Sequence, residues 1–152
     1  MTTIAYDVDA GHIATDSQET SGNGEKYNCK KLFEVNGYIV ATAGGSYAGM
    51  AFVNWMENWD GEPDWSDHPD FVNLDTDEDF ECLIISPDGE CFTVNRLFTL
   101  LPQKGNKLIT LGSGSKAARG AMMAGATAKE AVEIAKKIDS YTGGRIQEVI
   151  LK

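Results

Sequence analysis

Leu32-Phe33-Glu34-Val35 and Tyr38-Ile39-Val40-Ala41 are strand-like runs separated only by Asn36-Gly37. That dipeptide specifies a two-residue β-hairpin more strongly than any other short signal. An antiparallel pair is thus written into the first third of the chain, and the flanking pattern extends it. Residues 2–8 and 12–16 read as short strands around Ala10-Gly11, and the Gly/Ser/Asn/Glu segment from Ser17 to Asn28 reads as loop. Gly44-Gly45 breaks the next strand. From Ser46 to about Trp59 the pattern turns helical, with Tyr47, Met50, Phe52 or Val53, and Met56 at helical intervals. A second hairpin joins Phe80–Ile85 to Cys91–Val94 through Pro87-Asp88-Gly89, with Cys82 and Cys91 expected to face each other as core thiols.

Lys107 to Leu111 reads as another strand, and Ser115 to Ala124 as a small-residue helix stopped by Gly125. Thr127 with Glu130 forms a capping box for the next helix. Its buried stripe is expected at Ala128, Ala131, Val132, Ala135 and Ile138, its end at Gly143-Gly144, and a final strand from Ile146 to Leu151. Four strands, a helix, three strands, two helices and a strand are segregated rather than alternating. That order favours antiparallel sheets covered by helices over a parallel βαβ fold.

At 152 residues the chain is long enough for one domain with a real core, spanning 1–152. The net charge of −10 is uneven, because no Lys or Arg lies between Lys31 and Arg96 while acidic residues crowd residues 57–81. Such a face repels phosphate backbones and anionic lipid, so no nucleic-acid or membrane partner is expected. Asp75, Asp77 and Asp79 begin like a calcium loop, but Phe80 and Ser86 stand where the turn glycine and the bidentate glutamate belong. No apolar run approaches a membrane span and no basic-then-hydrophobic leader is present, which leads to a cytoplasmic expectation. Three cysteines without metal spacing argue against both a disulfide framework and a metal cluster.

The chemistry starts at Met1-Thr2-Thr3. Loss of Met1 would leave Thr2 with a hydroxyl and a free α-amine on one residue, nucleophile and general base together. A neighbouring cation would disfavour a second positive charge on that amine, and Lys31 is the candidate. Asp16 is placed to orient such a lysine. Ala43-Gly44-Gly45-Ser46, a glycine pair between a strand and a helix, offers backbone N–H groups to an oxyanion. Gly112-Ser113-Gly114-Ser115 is a second strand-to-helix turn, and it lacks the Gly-Lys-Ser/Thr of a phosphate loop.

Thr2-Thr3-Ile4, Gly11-His12, Asp16-Ser17-Gln18, Asn28-Cys29-Lys30-Lys31, Ile39 to Ser46, Leu111 to Ala118, and Ala128-Lys129-Glu130-Ala131 to Tyr141-Thr142 occur in one order. Together they resemble the proteasome β-subunits and, most of all, the bacterial proteasome-like peptidase HslV. The corner Asp139…Thr142-Gly143-Gly144 is more like the proteasome version. The resemblance implies an α+β, four-layer αββα sandwich of two antiparallel sheets covered by helices, and a threonine peptidase working through an acyl-enzyme on Thr2. It implies Lys31 as catalytic lysine, Asp16 as its orienting aspartate, Gly44 as oxyanion donor, Ser113 beside the terminal amine, and Asp139 with Thr142 supporting it. Thr20 and Gly45 would lie along an extended substrate, and Cys29 and Thr42 would line the first specificity pocket.

The resemblance requires no cofactor. It leaves room for a structural monovalent or magnesium cation on the main-chain carbonyls of Lys136, Asp139 and Thr142. It implies peptide or unfolded-protein substrates and a homo-oligomer, with a ring and an ATPase unfoldase left open. The acidic segment at about 57–79 replaces helical sequence that the family carries. While Met1 remains attached, the Thr2 amine is an amide and the chain is inactive. Two rivals stand beside this reading: a non-catalytic assembly or partner-binding subunit, and a small-molecule amidase on the same fold.

Overall fold

The computed structural model describes residues 2–58, 80–95 and 100–151. The acidic segment from Trp59 to Asp79, its calcium-loop resemblance, and Met1 lie outside the described residues. In chain order the elements are β1 (Ile4–Asp7), β2 (His12–Thr15), β3 (Gln18–Thr20), β4 (Lys26–Asn28), β5 (Leu32–Val35), β6 (Tyr38–Gly44) and α1 (Ser46–Glu57). They continue as β7 (Phe80–Ile85), β8 (Cys91–Asn95), β9 (Leu100–Pro102), β10 (Leu108–Leu111), α2 (Ser115–Met123), α3 (Ala128–Ile138) and β11 (Gln147–Ile150). They fall into two compact units, residues 1–32 with 105–152, and residues 33–104.

In the first unit β1 lies between β10 and β2, with β11 on the far side of β2, all antiparallel. Ala5 and Ala14 are cross-strand partners, and against them pack Ala118 and Met122 of α2 and Ala128, Ala131, Val132 and Ala135 of α3. Small side chains on both surfaces let the helices approach closely. α2 ends in a Schellman motif, with Ala126 N–H on the Ala121 carbonyl and Gly125 at φ +105°. The capping box at α3 forms as expected, Thr127 Oγ1 accepting from Glu130 N–H and Glu130 from Thr127 N–H. Ile138, however, is 69% exposed, so the buried stripe stops at Ala135.

α3 also ends earlier than the glycine pair suggested. Asp139 leaves helical geometry (φ −99°, ψ 116°) because its carboxylate takes hydrogen bonds from Tyr141 N–H and from the Ser113 and Thr142 hydroxyls. Gly143 and Gly144 answer to crowding instead. A Cβ on Gly143 would lie 2.1 Å from Gln18 Oε1, and one on Gly144 2.6 Å from Ser17 Oγ.

In the second unit β5-β6-β7-β8-β9 form one sheet, with Asn36 (φ 52°) and Gly37 (φ 80°) both left-handed at the hairpin. α1 covers it with Ala48, Gly49, Phe52, Val53 and Met56. Tyr47 and Met50 instead lie 83% and 42% exposed, so the helical stripe is rotated from the expected one. Gly49 lies on the face that packs, so close to β6 that a Cβ there would meet Thr42 Cβ at 3.1 Å. Phe52 sits between Phe80 and Trp55 at ring-centroid distances of 5.4 and 5.6 Å. Cys82 pairs with Val94 and Cys91 with Ile85, so the two thiols do not face each other; the five-residue connection sets that register.

Two further departures involve polar strands. β3 and β4 pair through Gln18↔Asn28, Glu19↔Tyr27 and Thr20↔Lys26, a hairpin inside the segment read as loop. β4 is exposed throughout and carries no apolar alternation to reveal it. β9 pairs with β8 through Thr93↔Leu101 and is likewise too short and exposed to show a period. Among the described residues, no helix is long and apolar enough to cross a membrane.

Candidate active site

Register brings the chain start to Asp16. Ile4 pairs with Thr15, so Thr3 and Asp16 stand opposite each other just beyond the ladder. Thr3 N–H donates to Asp16 Oδ1 at 3.1 Å, and Asp16 N–H returns to the Thr3 carbonyl at 3.3 Å. Lys31 Nζ donates to the same Oδ1 at 3.0 Å and also to the Gln18 carbonyl. The lysine ammonium and the Thr3 amide therefore lie within two hydrogen-bond lengths of each other. Asp16 Oδ2 accepts from Gln18 N–H at 3.3 Å and Gly143 N–H at 3.0 Å. A carboxylate with no exposure is tolerable only when its lone pairs are filled this way, and the lysine is 5% exposed.

The lysine's backbone is held by a residue that the sequence reading missed. Gln147 Oε1 accepts from Lys31 N–H at 2.9 Å and Leu32 N–H at 3.0 Å, while its Nε2 donates to the Cys29 carbonyl at 3.0 Å. Gln18 is a second such residue, its amide donating to Thr20 Oγ1 and to the Ser140 carbonyl. Nothing local marks Gln147, whose partners are main-chain groups more than a hundred positions away, and the Gln18 bond to the Ser140 carbonyl is likewise distant.

Thr2 is 1% exposed, and its carbonyl accepts from Gly114 N–H at 3.4 Å. The Gly112-Ser113-Gly114 turn serves close packing. A Cβ on Gly112 would lie 1.9 Å from the Thr2 carbonyl oxygen, and one on Gly114 1.9 Å from Thr3 Oγ1. Ser113 Oγ donates to Asp139 Oδ2 at 2.5 Å, and Thr142 Oγ1 to the same oxygen at 2.6 Å. Partial burial works against the Asp139 charge. The Ser113 and Thr142 hydroxyls and the Tyr141 N–H outweigh it and hold the carboxyl below its ordinary range.

Thr2, Asp16, Lys31, Ser113, Asp139 and Thr142 all belong to the first unit. So do Thr20, at the end of β3, and Cys29, after β4. Cys29 is half-buried in a cleft of about 340 Å³ with Ser17, Asn28, Lys30, Arg145, Ile146 and Gln147. Burial first, and Glu19 next, push its thiol up. Thr42, Gly44 and Gly45 belong to the second unit, where Gly44 closes β6 at φ +93° and Gly45 precedes α1. At the implied cation corner, Lys136 pairs with Glu133 at 3.4 Å and the Asp139 carbonyl accepts from Thr142 N–H at 3.1 Å.

No family model matches the chain, and no curated protein matches it. Solved structures do. HslV from Trypanosoma brucei superposes with a TM-score of 0.72 over 99% of both chains at 18% identity. BPH from Thiobacillus denitrificans, in complex with epoxomicin, gives 0.75 over 99% of this chain and 97% of that one at 21% identity. Anbu from Yersinia bercovieri gives 0.74 over 99% and 81% at 12% identity. The shared feature is the fold, an αββα sandwich of two antiparallel sheets flanked by helices, that of the N-terminal-nucleophile hydrolases.

Proposed function

We propose that this chain is a threonine peptidase of the proteasome-like type, with Thr2 as nucleophile once Met1 has been removed. The observation that carries the reading is the buried Lys31–Asp16 pair, whose carboxylate also holds the amide of the residue after Thr2. The neutral α-amine of Thr2 takes the hydroxyl proton as Oγ1 attacks the peptide carbonyl. Collapse of the tetrahedral adduct breaks the C–N bond, and the same proton passes to the leaving amine. Water, deprotonated by the α-amine, then hydrolyses the ester and frees Thr2. Lys31 disfavours protonation of that amine by its charge.

The reading takes peptide or unfolded protein as substrate, a cytoplasmic setting and a homo-oligomer. It needs no cofactor, and a structural monovalent or magnesium ion at the Lys136–Thr142 corner is compatible with it. The supporting test is intact mass before and after incubation with epoxomicin, on protein whose N-terminal residue has been verified as Thr2. One adduct on the parent and none on Thr2→Ala supports the reading. Native protein that retains Met1 throughout refutes it and favours the non-catalytic assembly subunit.

A further inference from the structure

The peptide joining Thr2 to Thr3 is gripped on both edges. Its carbonyl accepts from Gly114 N–H, and its N–H donates to Asp16 Oδ1. Because the peptide is planar, holding Thr3 also constrains the Thr2 Cα and carbonyl that share its plane. Thr3 has no solvent exposure, and its Oγ1 lies 2.7 Å from Thr142 Oγ1, itself on a residue 3% exposed. Proton counting gives this bond a direction. Thr142 has one hydroxyl proton and uses it on Asp139 Oδ2, so Thr142 Oγ1 accepts and Thr3 O–H donates. The result is a directed chain from Thr3 through Thr142 to Asp139, where Ser113 donates from the other side. Gly114 is packed so tightly on the two hydroxyls that a Cβ would lie 1.9 Å from one and 3.0 Å from the other.

We infer that Thr3 is a positioning residue for Thr2: its N–H ties the chain start to the Asp16–Lys31 pair, and its hydroxyl ties the same residue to the Thr142–Asp139–Ser113 corner. The Thr3–Thr142 bond is buried, and a buried hydroxyl–hydroxyl bond aligned by a charged acceptor holds geometry firmly. The inference rests on the peptidase reading for its kinetic consequence and on geometry alone for the link itself.

The test uses protein with Thr2 at its N-terminus and Thr3→Val, Thr3→Ser and Thr142→Val variants. In Thr3→Val, kcat falls on the order of tenfold or more while KM stays within about twofold, and Thr3→Ser restores kcat. Thr142→Val breaks the bond from its other end and carries the test should Thr3→Val fail to fold. Combining the two Val changes costs no more than the worse single change. A separate NMR measurement of the Thr142 side-chain torsion, independent of turnover, finds one rotamer in the parent and Thr3→Ser and averaging in Thr3→Val. A Thr142 that stays fixed in Thr3→Val, an unchanged kcat, or a serine variant as poor as valine overturns the inference. A parent with free Thr2 that is inert to peptides and epoxomicin sinks the peptidase reading instead, and the Thr142 torsion still decides the link.

Discussion

The core of the second unit is made mostly of large apolar side chains, among them Phe33, Phe52, Met56, Phe80, Ile84 and Val94. That of the first, between helices and sheet, is mostly alanine with Met122 and Val132. The polar interior divides the other way. Among the described residues, Thr2, Thr3, Thr15, Asp16, Ser17, Gln18, Lys31 and Thr142 are buried in the first unit, and only Thr42 in the second. Large apolar area stabilises without fixing orientation, since it is non-directional. Buried hydrogen bonds contribute little net stability but are costly to leave unmade, so they hold groups in one arrangement. The second unit is therefore built for stability, and the first for holding the candidate machinery in place.

The contrast can be broken most sharply at Thr2. Thr2→Ala lowers peptide turnover by about a thousandfold or more, with an unfolding midpoint near that of the parent, read by fluorogenic-peptide hydrolysis beside thermal melts. A surviving rate would remove the first unit's claim to catalysis. Next, Phe52→Ala empties the aromatic cluster and costs about 3–5 kcal/mol in urea unfolding. An equal loss from Val132→Ala would erase the difference between the two cores.

Gly114→Ala sharpens the comparison at smaller cost. Its new Cβ meets Thr3 Oγ1, so about 1–3 kcal/mol of stability is lost and turnover falls with it. Gly22→Ala, with nothing within 4 Å of the added carbon, serves as the silent control. The smallest effect is expected at the edge of the first sheet, where His12 Nε2 lies 2.8 Å from Glu148 Oε2. The hydrogen bond from His12, opposed by slight desolvation and aided by Lys129, lowers the Glu148 carboxyl below its ordinary 4.5. A depressed carboxyl stabilises the fold above that value, and the benefit is lost as pH falls through the lower folded value. Melting temperature against pH should thus drop less steeply in Glu148→Gln below pH 4.5; identical profiles would show that the pair contributes nothing.

Signals confined to a few consecutive residues were legible in the sequence. Asn36-Gly37 makes its hairpin, Gly125 stops α2, and Thr127 with Glu130 caps α3, because each is a local balance of backbone strain and hydrogen bonding. The pairing of Asp16 with Lys31 was also expected, from the need of a buried lysine for an orienting carboxylate and again from the resemblance of the motifs. The polar β3–β4 hairpin was not legible, since exposed strands need no alternation. Neither was the outward face of α1, where Tyr47 and Met50 satisfy the helical period as well as Ala48 and Gly49 do. Packing against the sheet, with Gly49 close on Thr42, chooses between them.

By itself the order of residues determined the class of fold, the turns, the caps and the types of side chain available for acyl transfer, all of which depend on neighbours along the chain. Only the tertiary structure decided that Gly112 and Gly114 make room for Thr2 and Thr3, that Gln147 braces Lys31, and that Thr3 reaches the Asp16 carboxylate with its N–H and the Thr142 hydroxyl with its own. Apart from the Thr3–Asp16 bond, those relations connect residues more than a hundred positions apart. Close packing and the filling of every lone pair on a buried carboxylate select them, and neither condition leaves a mark on the sequence around any one of them.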